Sequence, residues 1–300
     1  MYLGHFSLRE APFSITPDTD FFFAHEGAQA SLNMLLVALR NGEGFLKVVG
    51  ELGCGKTVLC RQLLKTLQGE CLMAYIPNPN MGPDELLLAL ATELKLPITS
   101  PPQRHQIMAA LNQCLLEQAA QGRRMMVYID EAQAIPVRTV ESLRLLSNLE
   151  TEKRKLLQLV LLGQPDLDDK LARPEIRQLL QRITFSEYLG PMQAQRVPGY
   201  LAHRLQRAAQ SESTDTEVFT PAAAHAIAQA SGGVPRLINI LANKCLMLAY
   251  GEDQHRVSAA HARMAARDTP GVQQRPPWWC SLWPWGQSRR VSPAHRAQGE

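Results

Sequence analysis

Gly50-Glu51-Leu52-Gly53-Cys54-Gly55-Lys56-Thr57 fits the pattern G-x-x-x-x-G-K-[ST] at every fixed position. An apolar run, Phe45 to Val49, leads directly into it, and an amphipathic helical pattern, Val58 to Leu67, leaves it. That strand–loop–helix context is what a phosphate-binding loop requires. Gly50, Gly53 and Gly55 let the backbone curl so that successive N–H groups face inward, with Cys54 between the last two. The helix that follows adds its positive N-terminal end. Lys56 is expected to reach the β- and γ-phosphates of ATP, and Thr57 to offer its hydroxyl to Mg²⁺.

Downstream, Met125 to Ile129 is an apolar run ending in Asp130-Glu131-Ala132-Gln133. Asp130 fits the position that holds Mg²⁺ through its water shell, and Glu131 the position that polarises the attacking water. Adjacent carboxylates after the strand point to an ATPase whose parallel sheet has an additional strand between the two nucleotide motifs. The next apolar run, Leu159 to Leu162, ends at Gly163-Gln164-Pro165, which makes Gln164 the candidate sensor-1 residue between those motifs. Arg182, at the end of a short helical pattern, is the first candidate for an arginine finger reaching a neighbouring subunit's γ-phosphate, and Arg177 the second. Arg236 lies in the first turn after Ser231-Gly-Gly-Val-Pro235, where a sensor-2 arginine can face the γ-phosphate across a domain cleft.

Alternating apolar and helical stretches give the fold class, α/β with a mainly parallel sheet followed by an all-helical lid. Expected strands are Phe45–Val49, Leu72–Ile76, Met125–Ile129, Gln158–Leu162 and Thr184–Tyr188. Expected helices are Gln29–Arg40, Thr57–Leu67, Pro83–Leu94, Gln106–Gln121, Thr139–Thr151 and Glu175–Arg182. After Gln193 only helical patterns remain: Gln193–Gln210, Pro221–Ala230, Pro235–Tyr250 and Ala259–Arg267, with a polar loop at Ser211–Thr216. The expected division is an α/β nucleotide-binding core with its N-terminal segment at 1–190, a helical lid at 191–269, and a flexible Pro/Trp/Arg-rich tail at 270–300.

Hydrophobic residues at 45% and charged residues at 20% describe an ordinary globular chain. Six scattered cysteines without a C-x-x-C pair argue against a zinc site or a disulfide framework and for free thiols in a reducing cytoplasm. The helix end and Lys56 could lower the pKa of Cys54, although a plain small residue there is the simpler reading. The N-terminus lacks the pattern of a secretory signal, and no run approaches the length needed to span a bilayer. Cytoplasmic residence follows as an expectation. Net charge is +3, but the excess lies in the tail; residues 1–269 balance at 27 basic and 27 acidic. A neutral body argues weakly against a broad nucleic-acid surface. All four tryptophans fall within residues 278–285, beside Arg275, Arg289 and Arg290. Such a segment could sit at a membrane–water interface or on a partner, or simply be disordered or pack on its own lid.

MYLGHFSLREAPFSITPDTDFFF, GEGFLKVVGELGCGKTVLCRQLL, YIDEAQ, LLGQPDL, RQLLQRI and GGVPRLIN occur here in order. Together they resemble the AAA+ ATPases of the ExeA/GspA (general secretion pathway protein A) group over nearly all of residues 1–250. Within that group the likeness is strongest to members associated with mannose-sensitive haemagglutinin (MSHA) type IV pilus biogenesis. The resemblance implies a cytoplasmic ATPase, self-associated with nucleotide at subunit interfaces, that assists pilus or secretion components of the inner membrane. Cys54 departs from the Thr usual in the group's loop, a small-for-small change. Longer members continue into a membrane span and a peptidoglycan-binding domain; this sequence stops at Glu300, so peptidoglycan binding is not carried over. The competing expectation is a DNA-dependent ATPase of the transposition-regulator type, for which nucleic acid would be a partner. An initiator-like replication ATPase would need a DNA-binding domain after the lid, for which some thirty residues are too few.

Overall fold

Five apolar runs become the five strands of one parallel sheet. The computed structural model describes residues 2–98, 101, 103–146, 150–151, 154–211 and 217–272. The core comprises α1 (Tyr2–His5), α2 (Glu26–Asn41), β1 (Phe45–Val49), α3 (Lys56–Thr66), β2 (Cys71–Ile76), α4 (Pro83–Glu93), α5 (Arg104–Ala120) and β3 (Arg124–Ile129). It continues through α6 (Val137–Leu146), the paired β4 (Glu150–Thr151) and β5 (Arg154–Lys155), β6 (Leu157–Gly163), α7 (Asp166–Leu171), α8 (Arg177–Leu180) and β7 (Ile183–Tyr188). Four helices follow: α9 (Val197–Ala208), α10 (Pro221–Ser231), α11 (Pro235–Gly251) and α12 (Ala259–Arg267).

The sheet order is β2-β3-β6-β1-β7, all neighbours parallel. β6 therefore stands between β1, which feeds the phosphate loop, and β3, which carries Asp130 at its end, as the adjacent carboxylates predict. Both sheet faces are covered, which is why β1 and β6 are apolar but for Lys47 and Gln158 and every residue in them is buried. Side chains alternate between the faces. Phe45 and Val49 join Val127, Ile129, Leu159 and Leu161 against α4 and α5, while Leu46 and Val48 join Tyr128, Val160 and Leu162 against α2 and α3. Two polar residues inside this sheet have partners: Lys47 pairs with Asp168, and Gln158 donates to the carbonyls of Leu39 (2.9 Å) and Glu43 (2.7 Å).

The second core belongs to α9–α12, and the N-terminal segment is part of it. Phe6, Leu8, Phe13 and Phe21 pack with Leu201, Ile227, Ile238 and Leu246. Leu8 pairs with Ala209 as an isolated antiparallel bridge, and Tyr2 donates from its hydroxyl to Asn243 Oδ1 at 2.8 Å. Arg204, itself buried, donates to the carbonyls of Pro12 and Ser14 and lies over the Phe21 ring at 4.7 Å. The sequence reading groups residues 1–23 with the α/β core because they precede it. Their aromatic side chains, Phe22 excepted, instead complete the apolar face of helices about 190 residues away.

Local differences have local causes. The expected helix does not reach Thr151: the described helix is Val137–Leu146, and Glu150 and Thr151 pair antiparallel with Lys155 and Arg154. The expected helix at 175–182 is broken: Pro174–Ile176 forms a 3₁₀ turn, and Ile176, at φ −121° and ψ 11°, leaves helical geometry to bury its side chain before α8 begins. A 3₁₀ turn, Ala194–Arg196, likewise precedes α9. Helices α1 and α7 were not anticipated. Residues 212–216 of the expected polar loop and the Trp-rich tail from residue 273 lie outside the described residues.

The turn joining α10 to α11 is held by backbone to the segment between β7 and α9. Gly233 has φ +79°, its carbonyl accepts from Met192 N at 2.9 Å, and a Cβ there would stand 1.9 Å from Met192 O. No alanine fits without moving that backbone. Gly233→Ala is expected to destabilise the protein by about 3 kcal/mol, from left-handed strain plus overpacking. A denaturant midpoint shift well under half of that would show that the turn can relax.

Candidate nucleotide site

The loop after β1 has the geometry its glycines were expected to supply. Gly53 and Gly55 lie at φ +84° and +97°, and α3 starts at Lys56, so its unpaired N–H groups face the loop. Gly50 is required for another reason: a Cβ there would meet Leu189 O at 2.3 Å. Lys56 is 6% exposed, and its Nζ donates to the carbonyls of Gly50 (2.7 Å) and Glu51 (3.1 Å), inside the curl. Burial lowers its pKa, opposed by Glu131 and then by Cys54, Asp130 and Glu51. A buried cation within a ring of left-handed glycines and a helix N-terminus is a cradle suited to phosphate oxygens.

Asp130 sits at the end of β3, 4% exposed. Its Oδ2 accepts from Thr57 Oγ1 at 2.8 Å and from the Tyr75 hydroxyl at 3.1 Å, and its Oδ1 from Glu131 N at 2.9 Å. The Tyr75 phenol is pushed up by burial and by the Asp130 carboxylate beside it, so it remains a donor. A hydroxyl and a carboxylate held together by the loop-helix and the strand end form a hard-oxygen pair suited to Mg²⁺.

Glu131 occupies a left-handed backbone, φ 49° and ψ 39°, uncommon for a residue with a side chain. Its Oε2 accepts from Gln133 Nε2 and, at 3.3 Å, from Gln164 Nε2. Gln133 Oε1 in turn accepts from Gln164 N at 3.0 Å. Gln164 follows β6, which lies between β1 and β3, and its side-chain amide engages the carboxylate of Glu131. Gln133, the last residue of the D-E-A-Q run, has no role assigned by the motif. Its signal in the sequence was only a second amide two residues after a carboxylate.

The lid supplies the opposite wall. Arg236 N donates to Gly53 O at 3.2 Å, and a Cβ on Gly53 would meet Arg236 Cβ at 2.7 Å, so the first turn of α11 lies directly on the phosphate loop. The cleft is lined by this turn, by residues 52–58, by Glu131 and by the N-terminal stretch at 14–18 and 21–23. The N-terminal wall, unanticipated as part of the site, is fixed by Arg61 to Pro17 O (2.6 Å) and Arg207 to Asp20 O (2.8 Å). Phe23 there contacts the rings of His25 and His203. Burial first, and the neighbouring arginines second, hold both imidazoles below the usual histidine pKa. Arg177 and Arg182 do not line this cleft.

Of the two readings of Cys54, the simpler one agrees with the structure. The Cys54 thiol is buried and its pKa is raised, not lowered: desolvation outweighs the opposing effect of Lys56. Cys54 is a small packed residue in the loop, not an activated thiol.

Residues 39–171 match the family model described as AAA domain. The chain is 38% identical over 282 residues to general secretion pathway protein A of Aeromonas hydrophila, covering 94% of this chain and 51% of that protein. It therefore spans about half the length of the curated relative it matches. Among solved structures, Cdc6p from Pyrobaculum aerophilum superposes with a TM-score of 0.65 at 16% identity, over 84% of this chain and 70% of that one. The Aeropyrum pernix ORC2 protein (ADPNP–ADP complexes) gives 0.63 at 16% identity, over 87% and 73%. The RuvB Holliday junction branch migration motor of Thermotoga maritima gives 0.54 at 17%, over 85% and 73%.

Proposed function

We propose, for a chain that is an AAA+ protein of the ExeA/GspA type, that it binds ATP with Mg²⁺ and hydrolyses it to ADP and phosphate in the cleft between the phosphate loop and α11. One observation carries this reading: Thr57, Asp130, Glu131 and Gln164 form one hydrogen-bonded chain, and Thr57 and Glu131 line the cleft together with Lys56, which is held by the loop carbonyls, and Arg236. The loop of Gly50, Gly53, Cys54 and Gly55 cradles the phosphates, and Lys56 neutralises the terminal ones. Thr57 and Asp130 would hold Mg²⁺, which on binding shields the phosphate charge. Glu131 accepts a proton from the attacking water, with Gln164 ordering that carboxylate. Arg236 reads the γ-phosphate from the lid, so that lid position follows nucleotide state.

Arg182, which does not line its own cleft, is proposed to act in a neighbouring copy, with nucleotide bound between subunits. Arg182→Ala should therefore fail alone and regain turnover when mixed with Lys56→Ala, whose own cleft is dead but whose Arg182 is intact. Restoration of up to half the wild-type turnover per intact site is expected. Mixtures that never exceed the sum of the two variants would remove the finger assignment.

The work proposed for this ATPase is assembly or regulation of a secretion system, type II or an MSHA-like type IV pilus, from the cytoplasmic face of the inner membrane. Supporting it is the 38% identity to general secretion pathway protein A across 94% of this chain. Among the described residues no helix is long and apolar enough to cross a membrane. Peripheral contact through the Trp-rich tail is part of the proposal, and residues 273–300 lie outside the described ones. Capture on a trapped-nucleotide bait should recover pilus or secretion components. Salt-sensitive stimulation of hydrolysis by duplex DNA would favour the transposition-regulator reading instead.

A further inference from the structure

We infer that Gln133 is a positioning residue for Glu131, fixing one carboxylate oxygen so that the other is left to take the proton from water. The inference rests on the proposed role of Glu131 as the base. Both amide donors, from Gln133 and from Gln164, converge on the same atom, Glu131 Oε2. Among the described residues Oε1 carries no hydrogen bond, and Glu131 lines the cleft. A carboxylate gripped through a single contact can still swing about its terminal torsion, which is broad and soft. Two donors on one oxygen remove that freedom and distinguish the two oxygens chemically.

Gln133 is itself held at three points, which suits it to the task. Its side-chain carbonyl accepts from Gln164 N at 3.0 Å, its amide donates to Glu131, and its main-chain carbonyl accepts from Lys170 Nζ. Lys170 also donates to Ile135 O at 2.6 Å, so α7 clamps the whole 133–135 turn. Room for this side chain depends on Gly163, where a Cβ would stand 3.1 Å from Gln133 Oε1. The strained backbone at Glu131 is the second reason a brace is needed. A left-handed residue persists only where its surroundings over-determine it, and the amides of Gln133 and Gln164 with the Lys170 clamp supply that restraint.

The test is a double-mutant cycle on the full chain with ATP. Gln133→Ala should lower kcat by about 10- to 100-fold, the scale for loosening a catalytic group. KM and the affinity for a fluorescent ADP analogue should change by no more than about twofold, because no phosphate contact is touched. In the Glu131→Gln background, single-turnover hydrolysis should fall by less than about twofold on adding Gln133→Ala, since a residue acting through Glu131 has nothing left to position. An unchanged kcat in Gln133→Ala, or the same fold loss in both backgrounds, would overturn the inference and reduce Gln133 to a loop brace. A wild-type protein that binds the analogue but never hydrolyses ATP would instead sink the functional proposal beneath it.

Discussion

Lys56→Ala is expected to weaken nucleotide binding by about 10²- to 10⁴-fold, from losing two charge-assisted contacts worth about 1.5–3 kcal/mol each at roughly 1.4 kcal/mol per decade. The cation is buried at 6% exposure and stands between the loop carbonyls and the carboxylates of Glu131 and Asp130. Removing it has two consequences of the same sign. The phosphates lose their principal counter-charge, and they face two carboxylates whose field is no longer offset. Arginine should not rescue the loss, because a planar fork cannot enter a loop shaped around an ammonium that donates to Gly50 O and Glu51 O. Isothermal titration with ATP and ADP measures the change. The fold should survive, since alanine is a good residue for the first turn of α3. Tight binding by a well-folded Lys56→Ala protein would mean that the loop does not hold the phosphates.

The central strands were legible because a sheet covered on both faces forces mostly apolar runs, interrupted here by Lys47 and Gln158. Phe45–Val49, Met125–Ile129 and Gln158–Leu162 could be read with almost no boundary error. The position of β6 between β1 and β3 followed from chemistry instead, from adjacent carboxylates after β3 and a polar residue after β6. Contacts across long sequence separations were not legible. Arg204 reaching Pro12, 192 residues away, leaves no periodic trace in either segment. The N-terminal wall of the cleft was not legible for that reason. Helix α7 was missed despite an available signal: Pro165 followed by Asp166, Asp168 and Asp169 is an acidic helix start. At Cys54 the sequence showed the nearby charge of Lys56 but not the burial that outweighs it. Gln133 was visible as a residue and invisible as a contact, because what matters is where its amide ends.

Glu131→Gln should separate binding from chemistry. A glutamine has the same length and can still offer its carbonyl oxygen to the amides of Gln133 and Gln164, so the cleft floor keeps its shape. It cannot accept a proton. Losing a positioned general base typically costs about 10²- to 10⁴-fold in rate, and turnover should fall by that amount while ATP affinity stays within about threefold. Glu131→Ala is the informative contrast, since it also strands both glutamine amides and loosens the 131–135 turn. It should lose stability as well as turnover, by about 1 kcal/mol, the low end of the cost for donors left without partners, because both amides are only partly buried. Single-turnover hydrolysis and thermal melts of the two variants separate these effects. Wild-type hydrolysis by Glu131→Gln would move the base elsewhere in the cleft. The predicted behaviour, ATP held but not consumed, also makes that variant the bait with which lasting complexes between copies and with client proteins can be collected.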